Sequence, residues 1–134
     1  LPKQKIAAMV LIAPAPDFTE RLMWNTYSDK VKQEILQNGV YYEPSEYSDM
    51  PYEITRTLID DGRKHLVLDA PYECPCPVHI LHGLKDPDVP LQHAMELSHV
   101  LQGKVSFSII KDGDHRLSRP QDIAQMIAAV KAIA

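Results

Sequence analysis

The sequence predicts an α/β fold of parallel strands joined by crossover helices, with a small helical cap inserted between the strands. Three observations support this prediction. Residues 6–13 are apolar without alternation, which is typical of a strand covered by helices on both faces of a parallel sheet. Residues 78–133 show a regular rhythm of strand, helix, strand and helix. Residues 17–70 break that rhythm with two predicted helices.

Length and composition narrow the class of protein. With 134 residues, 45% of them hydrophobic and 24% charged, the chain has the composition of one globular domain with a real core. Its formal net charge of -4 gives no reason to expect a nucleic acid or an anionic membrane as a partner. The longest apolar run, residues 6–13, is far shorter than a membrane span. We expect a cytoplasmic location, with the mitochondrial matrix as the alternative.

Residues 6–13 form the first predicted strand, which Pro14 and Pro16 end. A strand that is apolar on both faces belongs in the middle of a sheet, and it therefore needs a partner strand on each edge. An unpaired apolar edge of this kind favours aggregation. We expect the strand to pair with a segment outside this sequence, either the N-terminal half of the same protein or another chain.

Residues 17–70 are predicted to form the cap. A helix is expected over residues 19–37, where apolar residues recur at three- and four-residue steps, and Gly39 follows as a stop signal. Residues 41–51 are rich in turn-forming residues. A second helix is expected over residues 52–68, which an internal Asp-Asp-Gly segment would break.

Aromatic residues of the cap would give it an apolar wall. They are Trp24, Tyr27, Tyr41, Tyr42 and Tyr47. For any single one of these residues, ordinary packing within the cap is the simpler role, because buried aromatic side chains dominate protein cores.

Residues 1–16 and 71–134 are predicted to form the core. A short strand is expected over residues 78–81 and a helix over residues 91–102, where apolar residues share one face. Residues 105–109 alternate between apolar and serine, which is typical of a strand with one wetter face near a sheet edge.

The last helix has the clearest signal in the chain. Ser118 and Gln121 have the spacing of a capping box, and Pro120 lies in the tolerated first turn. Apolar residues at helical spacing follow over residues 123–133. The alternation of strands and helices then predicts parallel strands with right-handed crossovers.

Two turns of the predicted sheet carry acidic and histidine residues. The first, HGLKDPDVP at residues 82–90, contains Asp86, and the second, KDGDHR at residues 111–116, contains His115. Both turns follow the carboxyl ends of strands, where open α/β sheets bind their ligands. A neutral histidine can take the proton of a nucleophilic hydroxyl, and a carboxylate behind it fixes its tautomer. We therefore predict Asp86 and His115 as a catalytic acid and base.

Simpler roles exist for these and related residues. Asp86 or Asp88 could cap the helix that begins near Leu91, because aspartates are common in turns. Cys74 and Cys76 match neither a zinc site nor a redox motif, and they are expected to pack in the core. Structural roles are also expected for the other histidines, which are His65, His93 and His99 on helix surfaces, His79 in a strand, and His82 packed or bonded to the backbone. The sequence predicts neither a metal nor a cofactor.

The motif HGxxDxxVP at residues 82–90, followed by Asp114-His115, resembles the acid and histidine motifs of the α/β-hydrolases. The resemblance covers nearly the whole chain and implies the C-terminal half of that fold, with Asp86 as triad acid and His115 as general base. Smaller matches, such as Gly39-Val40, the PSxYS motif and Cys76-Pro77, resemble the mitochondrial palmitoyl-protein thioesterases that also cleave acyl glucuronides, and their bacterial relatives.

The nucleophile of this family is not found in the sequence. In serine α/β-hydrolases it lies in a Gly-x-Ser-x-Gly turn, and none of the five glycines frames a serine in that way. The nucleophile and the oxyanion-hole donors are therefore expected before residue 1. This chain alone is predicted to be inactive.

The resemblance implies a serine hydrolase that cleaves carboxylic esters or acyl thioesters, with a small molecule or an acylated protein as substrate. Two alternatives remain open. The chain could belong to a non-catalytic binding module of the same fold. It could also belong to a hydrolase whose upstream nucleophile is an aspartate or a cysteine.

Overall fold

The computed structural model describes residues 5–45 and 48–133 of the chain. The chain divides into two compact units. The first, here called the core unit, comprises Leu1–Pro16 and Leu68–Ala134, and the second, the inserted unit, is Asp17–Val67.

Two sequence-based predictions reach beyond the described residues. Tyr47, assigned to the apolar wall and to the PSxYS motif, lies outside them, as do residues 1–4 of the predicted core. The assignment of residues 17–70 to a cap stays a prediction.

The described chain contains seven strands, four α-helices and three shorter helical turns. In chain order these are β1 Met9–Ile12, a π-helical turn Thr19–Met23, a 3-10 turn Trp24–Thr26, α1 Asp29–Asn38, β2 Val40–Glu43, β3 Tyr52–Thr55, α2 Arg56–Gly62, a 3-10 turn Arg63–His65, β4 Tyr72–Glu73, β5 Val78–Gly83, α3 Leu91–Val100, β6 Leu101–Gln102, β7 Val105–Ile110 and α4 Pro120–Ile133.

A three-stranded sheet in the order β1-β5-β7 forms the centre of the core unit. Both pairings are parallel, with Leu11 opposite Ile80 and Ile80 opposite Phe107. The predicted α/β fold with parallel strands is therefore confirmed. The strand over residues 105–110 lies at an edge of the described sheet, as its alternating pattern predicts.

The first strand is shorter than predicted and also lies at an edge of the described sheet. Its pairing with β5 begins at the Met9 N–H, which donates to the Pro77 carbonyl, and ends at the Ala13 N–H. Residues 6–8 precede this pairing because β5 begins only at Val78, and Ile6 is 58% exposed. Among the described residues, no strand pairs with the other edge of β1, and the expected pairing of that edge with a segment outside this sequence stays a prediction.

The central strand β5 is buried on both faces because its successive side chains point in opposite directions. Ile80 is fully buried in a cluster with Leu97 of α3, whereas Leu81 packs with Ile110 and Leu117 on the other face. Helices α3 and α4 therefore cover opposite faces, and the turns that follow β5 and β7 start from a packed base.

The helix α3 ends earlier than predicted. It covers Leu91–Val100 rather than residues 91–102, because Leu101–Gln102 leave the helix and pair in parallel with Tyr72–Glu73. Gly103 follows with φ +112, a backbone conformation that glycine adopts without steric cost.

The last helix begins at Pro120, and the predicted capping box of Ser118 and Gln121 is wrong. The carbonyl of Arg119 accepts the N–H of Ile123, the first bond of the helical pattern, which puts Arg119 at the cap position. The sequence pattern was misleading because the serine lies one residue too early for that role.

One side of α4 packs on the sheet through Met126 and Ala129. Its other apolar residues are half-exposed: Ile123 at 45%, Ile127 at 50% and Val130 at 51%. These three residues, here called the exposed row, recur at helical spacing on a surface that a soluble domain would ordinarily make polar.

The inserted unit begins differently from the predicted helix over residues 19–37. The backbone forms a π-helical turn at Thr19–Met23 and a 3-10 turn at Trp24–Thr26, and it then becomes extended at Ser28. The hydroxyl of Ser28 accepts a first-turn N–H at 3.3 Å and so begins α1. The helix ends at Gly39 with φ 80, as predicted.

A hairpin occupies the part of the inserted unit predicted as a turn followed by a helix. Val40–Glu43 pair antiparallel with Tyr52–Thr55, so the predicted turn is wrong for residues 41–43 and the predicted helix is wrong for residues 52–55. Residues 44–45 and 48–51 lie outside strands and helices, as predicted. The short helix α2 follows and ends at Gly62, within the Asp-Asp-Gly segment expected to break it.

Three of the aromatic residues assigned to the apolar wall pack inside the inserted unit: Trp24, Tyr27 and Tyr41. The Tyr27 and Tyr41 rings meet edge to face with centroids 5.9 Å apart, and the Arg63 guanidinium lies 4.7 Å from the centroid of Trp24. Tyr42 is 53% exposed. The buried core of this unit consists of Ile35, Ile54 and Ile59. Among the described residues, no helix combines the length and the apolar character that crossing a membrane requires.

Candidate active site

Asp86 lies in the turn that follows β5, and the backbone of that turn holds its carboxylate. Its Oδ1 accepts the N–H groups of Asp88 at 2.8 Å and of Val89 at 2.9 Å. An aspartate that binds backbone N–H groups two and three residues later fixes both the turn and its own rotamer. The side chain is 1% exposed, so its second oxygen lies in a largely dry position.

His115 lies in the loop that follows β7, and its Nδ1 is 2.9 Å from Oδ2 of Asp86. The two residues singled out by the sequence are therefore in direct contact, although 29 residues separate them. An ionised carboxylate only accepts hydrogen bonds, so the Nδ1 of His115 is the atom that carries the proton. The Nε2 of a neutral imidazole is then free to accept one.

Two opposing effects set the pKa of Asp86. Burial disfavours the charged carboxylate, but hydrogen bonds from the N–H of Val89, from His115 and from the N–H of Asp88 outweigh it and keep the pKa below its ordinary value. Asp86 is consequently ionised at neutral pH, in the state that an acceptor for the His115 Nδ1–H requires.

The side chain of His115 is 40% exposed. Among the described residues, none forms a hydrogen bond with its Nε2. In an acid–histidine pair of this geometry, Nε2 is the atom that would contact a reacting hydroxyl.

The Asp86 turn and the His115 loop are joined through their backbones. The N–H of Leu84 donates to the carbonyl of Ile110 at 2.9 Å, and the N–H of Lys85 donates to the carbonyl of Gly113 at 2.9 Å. A side chain at Gly83 would overlap with the carbonyls of Gly113 and Asp114. The absence of a Cβ at Gly83 therefore lets the loop approach closely enough for His115 to reach Asp86.

Buried contacts anchor the far side of the His115 loop. Leu117 is fully buried with φ +46, an uncommon conformation for a residue with a side chain. Its N–H donates to Oδ1 of Asp114 at 2.9 Å. A Cβ at Gly113 would collide with Leu117, so this side chain fills the inside of the loop.

His82 is a buried residue of the same turn. It was expected to pack or to bond to the backbone. Its Nε2 lies 3.0 Å from the carbonyl of Val89 and 3.8 Å from Oδ2 of Asp86. A carbonyl only accepts, so Nε2 is the protonated nitrogen, and Nδ1 has no partner among the described residues. His82 thus closes the turn from inside.

Three ligand-type side chains meet at the site, a cluster that the sequence analysis did not predict. Asp86, Asp88 and His115 each offer one atom, and these atoms lie within 4.8 Å of one another. Both oxygens of Asp86 already accept hydrogen bonds, one of them from His115. The Asp86 oxygen atoms of this cluster are therefore already bonded to backbone N–H groups and to His115.

The remaining histidines and the cysteines lie elsewhere. His93 was predicted on a helix surface, but it is 6% exposed and its Nε2 lies 2.6 Å from the carbonyl of Pro16. His79 is bonded to Ser106 and Ser108 of the adjacent strand, which is a structural role. Cys74 and Cys76 are free thiols with their sulfur atoms 4.0 Å apart, and Cys76 is buried.

Comparison with known proteins points to one group of enzymes. No protein-family model matches the sequence. The chain is 31% identical over 129 residues to a protein of Pongo abelii named “Palmitoyl-protein thioesterase ABHD10, mitochondrial”. The aligned region covers 95% of this chain and 42% of that protein. It thus spans less than half the length of this relative.

Solved structures agree with the sequence comparison. The crystal structure described as “Putative hydrolase from Agrobacterium vitis S4” superposes with a TM-score of 0.91 and 48% identity, over 96% of this chain and 50% of that chain. The alpha/beta hydrolase domain-containing protein 10 from mouse superposes with a TM-score of 0.83 and 27% identity, over 96% of this chain and 52% of that chain. Both structures are about twice the length of this chain.

Proposed function

Because the chain is related to the α/β-hydrolases in sequence and in fold, we propose that it supplies the acid and the base of a serine hydrolase. Asp86 is the acid and His115 is the base. The observation that carries this proposal is the contact of 2.9 Å between Nδ1 of His115 and Oδ2 of Asp86 at the carboxyl ends of two parallel strands.

In the proposed reaction, Nε2 of His115 takes the proton of the nucleophilic hydroxyl as its oxygen attacks the acyl carbon. The protonated imidazole then gives that proton to the leaving alcohol or thiol, and an acyl-enzyme remains. A water molecule attacks the acyl-enzyme with the same histidine as base. Throughout, Asp86 holds the tautomer of His115 and stabilises its positive charge.

We propose carboxylic esters or acyl thioesters as the substrate class, carried by a small molecule or by a protein. The relatives of this chain include proteins named palmitoyl-protein thioesterases, which supports an acyl substrate. The described residues leave a nucleophile and an oxyanion hole to be supplied from elsewhere, and this chain by itself is proposed to be inactive. The cytoplasmic location, with the mitochondrial matrix as alternative, stays a prediction.

The proposed source of the nucleophile is a further part of the fold that extends the sheet. Two surfaces support this proposal: the edge of β1 without a described partner, and the exposed row of α4. Pairing of β1 with another strand and burial of the exposed row would remove two features that otherwise favour aggregation.

Replacing the proposed base tests the function. In the intact enzyme, meaning this chain together with the part that supplies the nucleophile, His115→Ala should lower kcat for a chromogenic acyl ester by about 10³–10⁶-fold. His65→Ala removes an exposed histidine of the inserted unit and serves as the control, with kcat within about twofold of wild type. Equal activity of the two variants would refute the proposal.

A further inference from the structure

The loop that carries His115 is closed at its base by an ion pair. Nη1 of Arg119 lies 2.7 Å from Oδ2 of Asp112. These residues flank His115 in the sequence, so their side chains connect the two ends of the loop. The closure is a property of the loop rather than of the strand or helix beside it, because Asp112 follows β7 and Arg119 precedes α4.

A buried carboxylate in turn fixes the position of Arg119. Nε of Arg119 donates to Oδ2 of Asp122 at 2.7 Å, and Nη2 donates to Oδ1 at 2.8 Å. This two-point arrangement fixes the plane of the guanidinium group. Asp122 is fully buried in the first turn of α4, so the guanidinium is attached to a rigid element.

The charges of this network favour its persistence at neutral pH. Hydrogen bonds from Arg119 lower the pKa of Asp112 and of Asp122 below the ordinary value of a carboxyl group. Both carboxylates are therefore ionised where the enzyme would work, and the guanidinium contacts two negative charges.

The two ion pairs of Arg119, with Asp122 and with Asp112, have different structural effects. The pair with Asp122 satisfies a buried charge and strengthens the start of α4, so helix stability alone explains it. The pair with Asp112 adds little to stability, because the Asp112 side chain is 61% exposed and exposed ion pairs contribute little. Its consequence is to hold the first part of the loop against the last.

His115 depends on that restraint more than Asp86 does. The imidazole is 40% exposed, and among the described residues its side chain forms one hydrogen bond, to Asp86. Its position on Asp86 therefore follows the backbone of the loop. A displacement of about 1 Å at a catalytic group is enough to lower turnover substantially.

We propose that Arg119 and Asp112 are positioning residues for His115. Their ion pair holds the loop in the conformation that keeps Nδ1 of His115 on Asp86. This inference rests on the proposed function, since it concerns how the proposed base is oriented.

The test uses Asp112→Asn in the intact enzyme. We expect kcat to fall about fivefold with KM within twofold, because an exposed ion pair restrains the loop modestly and its loss misplaces the base while the substrate site is intact. The matched control is Asp61→Asn, which removes a carboxylate that is 59% exposed and pairs with Lys64 in the inserted unit. Its kcat should stay within twofold of wild type. Asp112→Glu restores the charge and should recover most of the lost kcat.

A spectroscopic readout separates positioning from simple loss of stability. The proton NMR signal of the His115 Nδ1–H, deshielded by its bond to Asp86, should broaden or disappear in Asp112→Asn and persist in Asp61→Asn. Unchanged kcat and an unchanged signal in Asp112→Asn, with His115→Ala still inactive, would overturn the positioning role alone. An active His115→Ala enzyme would instead overturn the proposed function.

Discussion

Asp86 is held by backbone N–H groups of the turn in which it lies, whereas His115 forms one described side-chain hydrogen bond, to Asp86, and otherwise depends on the conformation of its loop. One oxygen of Asp86 accepts two backbone N–H groups from the next three residues, and the side chain is 1% exposed. The imidazole of His115 is 40% exposed, and its described hydrogen bond is to Asp86.

This difference indicates how the site is assembled. Asp86 is fixed by a short local turn, because backbone N–H groups of the next residues are within reach of an aspartate. His115 depends on longer-range features: the missing Cβ of Gly83, the buried Leu117 and the pair of Arg119 with Asp112. Substitutions in the Asp86 turn should therefore alter the carboxylate directly, whereas substitutions around the His115 loop should alter the position of the imidazole.

The largest effect is expected from Asp86→Asn. An amide at this position can donate to Nδ1 of His115 and so stabilise the wrong tautomer, and we expect kcat to fall by about 10⁴-fold. Steady-state kinetics of the intact enzyme measure this change. Asp88→Asn is the control, since the described contact of Asp88 with Asp86 uses its backbone N–H, and its kcat should be nearly that of wild type. The reverse ranking would mean that Asp88 is the acid.

A smaller effect is expected from Gly83→Ala. The added methyl group would overlap with the carbonyls of Gly113 and Asp114 and push the His115 loop away from the turn. We expect kcat to fall by about 10²-fold, together with a lower Tm.

Gly39→Ala is the matched control for that substitution. Gly39 has φ +80 with open space around it in the inserted unit, so alanine there costs about 1 kcal/mol of stability through backbone strain. It should lower Tm without lowering kcat. Equal loss of kcat in both variants would show that destabilisation, and not the approach of the two turns, explains Gly83→Ala.

The smallest effect concerns the dependence of stability on pH. The pKa of Asp86 is lower in the folded protein than its ordinary value of about 4, so its stabilising contribution is complete above about pH 4. The contribution is lost as the pH falls through the lower, folded value, because protonation removes the acceptor for His115. Denaturant unfolding of the intact protein between pH 3 and pH 7 should show a shallower acid loss in Asp86→Asn than in wild type. Parallel curves would contradict this expectation.

The sequence predicted the core unit better than the inserted unit, and strand pairing explains why. Parallel strands such as β1 are continuous apolar runs, and α4 repeats its apolar residues over four turns. Such long patterns are visible in one sequence. The strands β2 and β3 have four residues each, too few to display a period.

Local capping signals in the inserted unit would have corrected its prediction. Ser28 and Thr55 each accept an N–H from three residues later and begin a helix. Read as caps, they would have divided the long predicted helix over residues 19–37 and delayed the second helix beyond residue 55. The π-helical and 3-10 turns before Ser28 have no comparable signal, because their apolar spacing resembles that of an α-helix.

The sequence predicted the residues of the candidate site but not the contacts that hold them in position. Asp86 and His115 stand out because a carboxylate and a histidine follow two successive strands. The bond between Arg119 and Asp112 depends on the conformation of the loop between them, and no pattern in the sequence specifies that conformation. The same holds for the close approach at Gly83, which only the folded chain reveals.

The most direct test of the account is to label the intact enzyme with a fluorophosphonate and to map the modified residue by peptide mass spectrometry. We expect one modified serine, located outside residues 1–134. Labelling should be strongly reduced in His115→Ala, because the serine hydroxyl is no longer activated. Labelling that is unchanged in His115→Ala, or that modifies a serine within this chain, would contradict the assignment of Asp86 and His115 as the acid and base of a serine hydrolase.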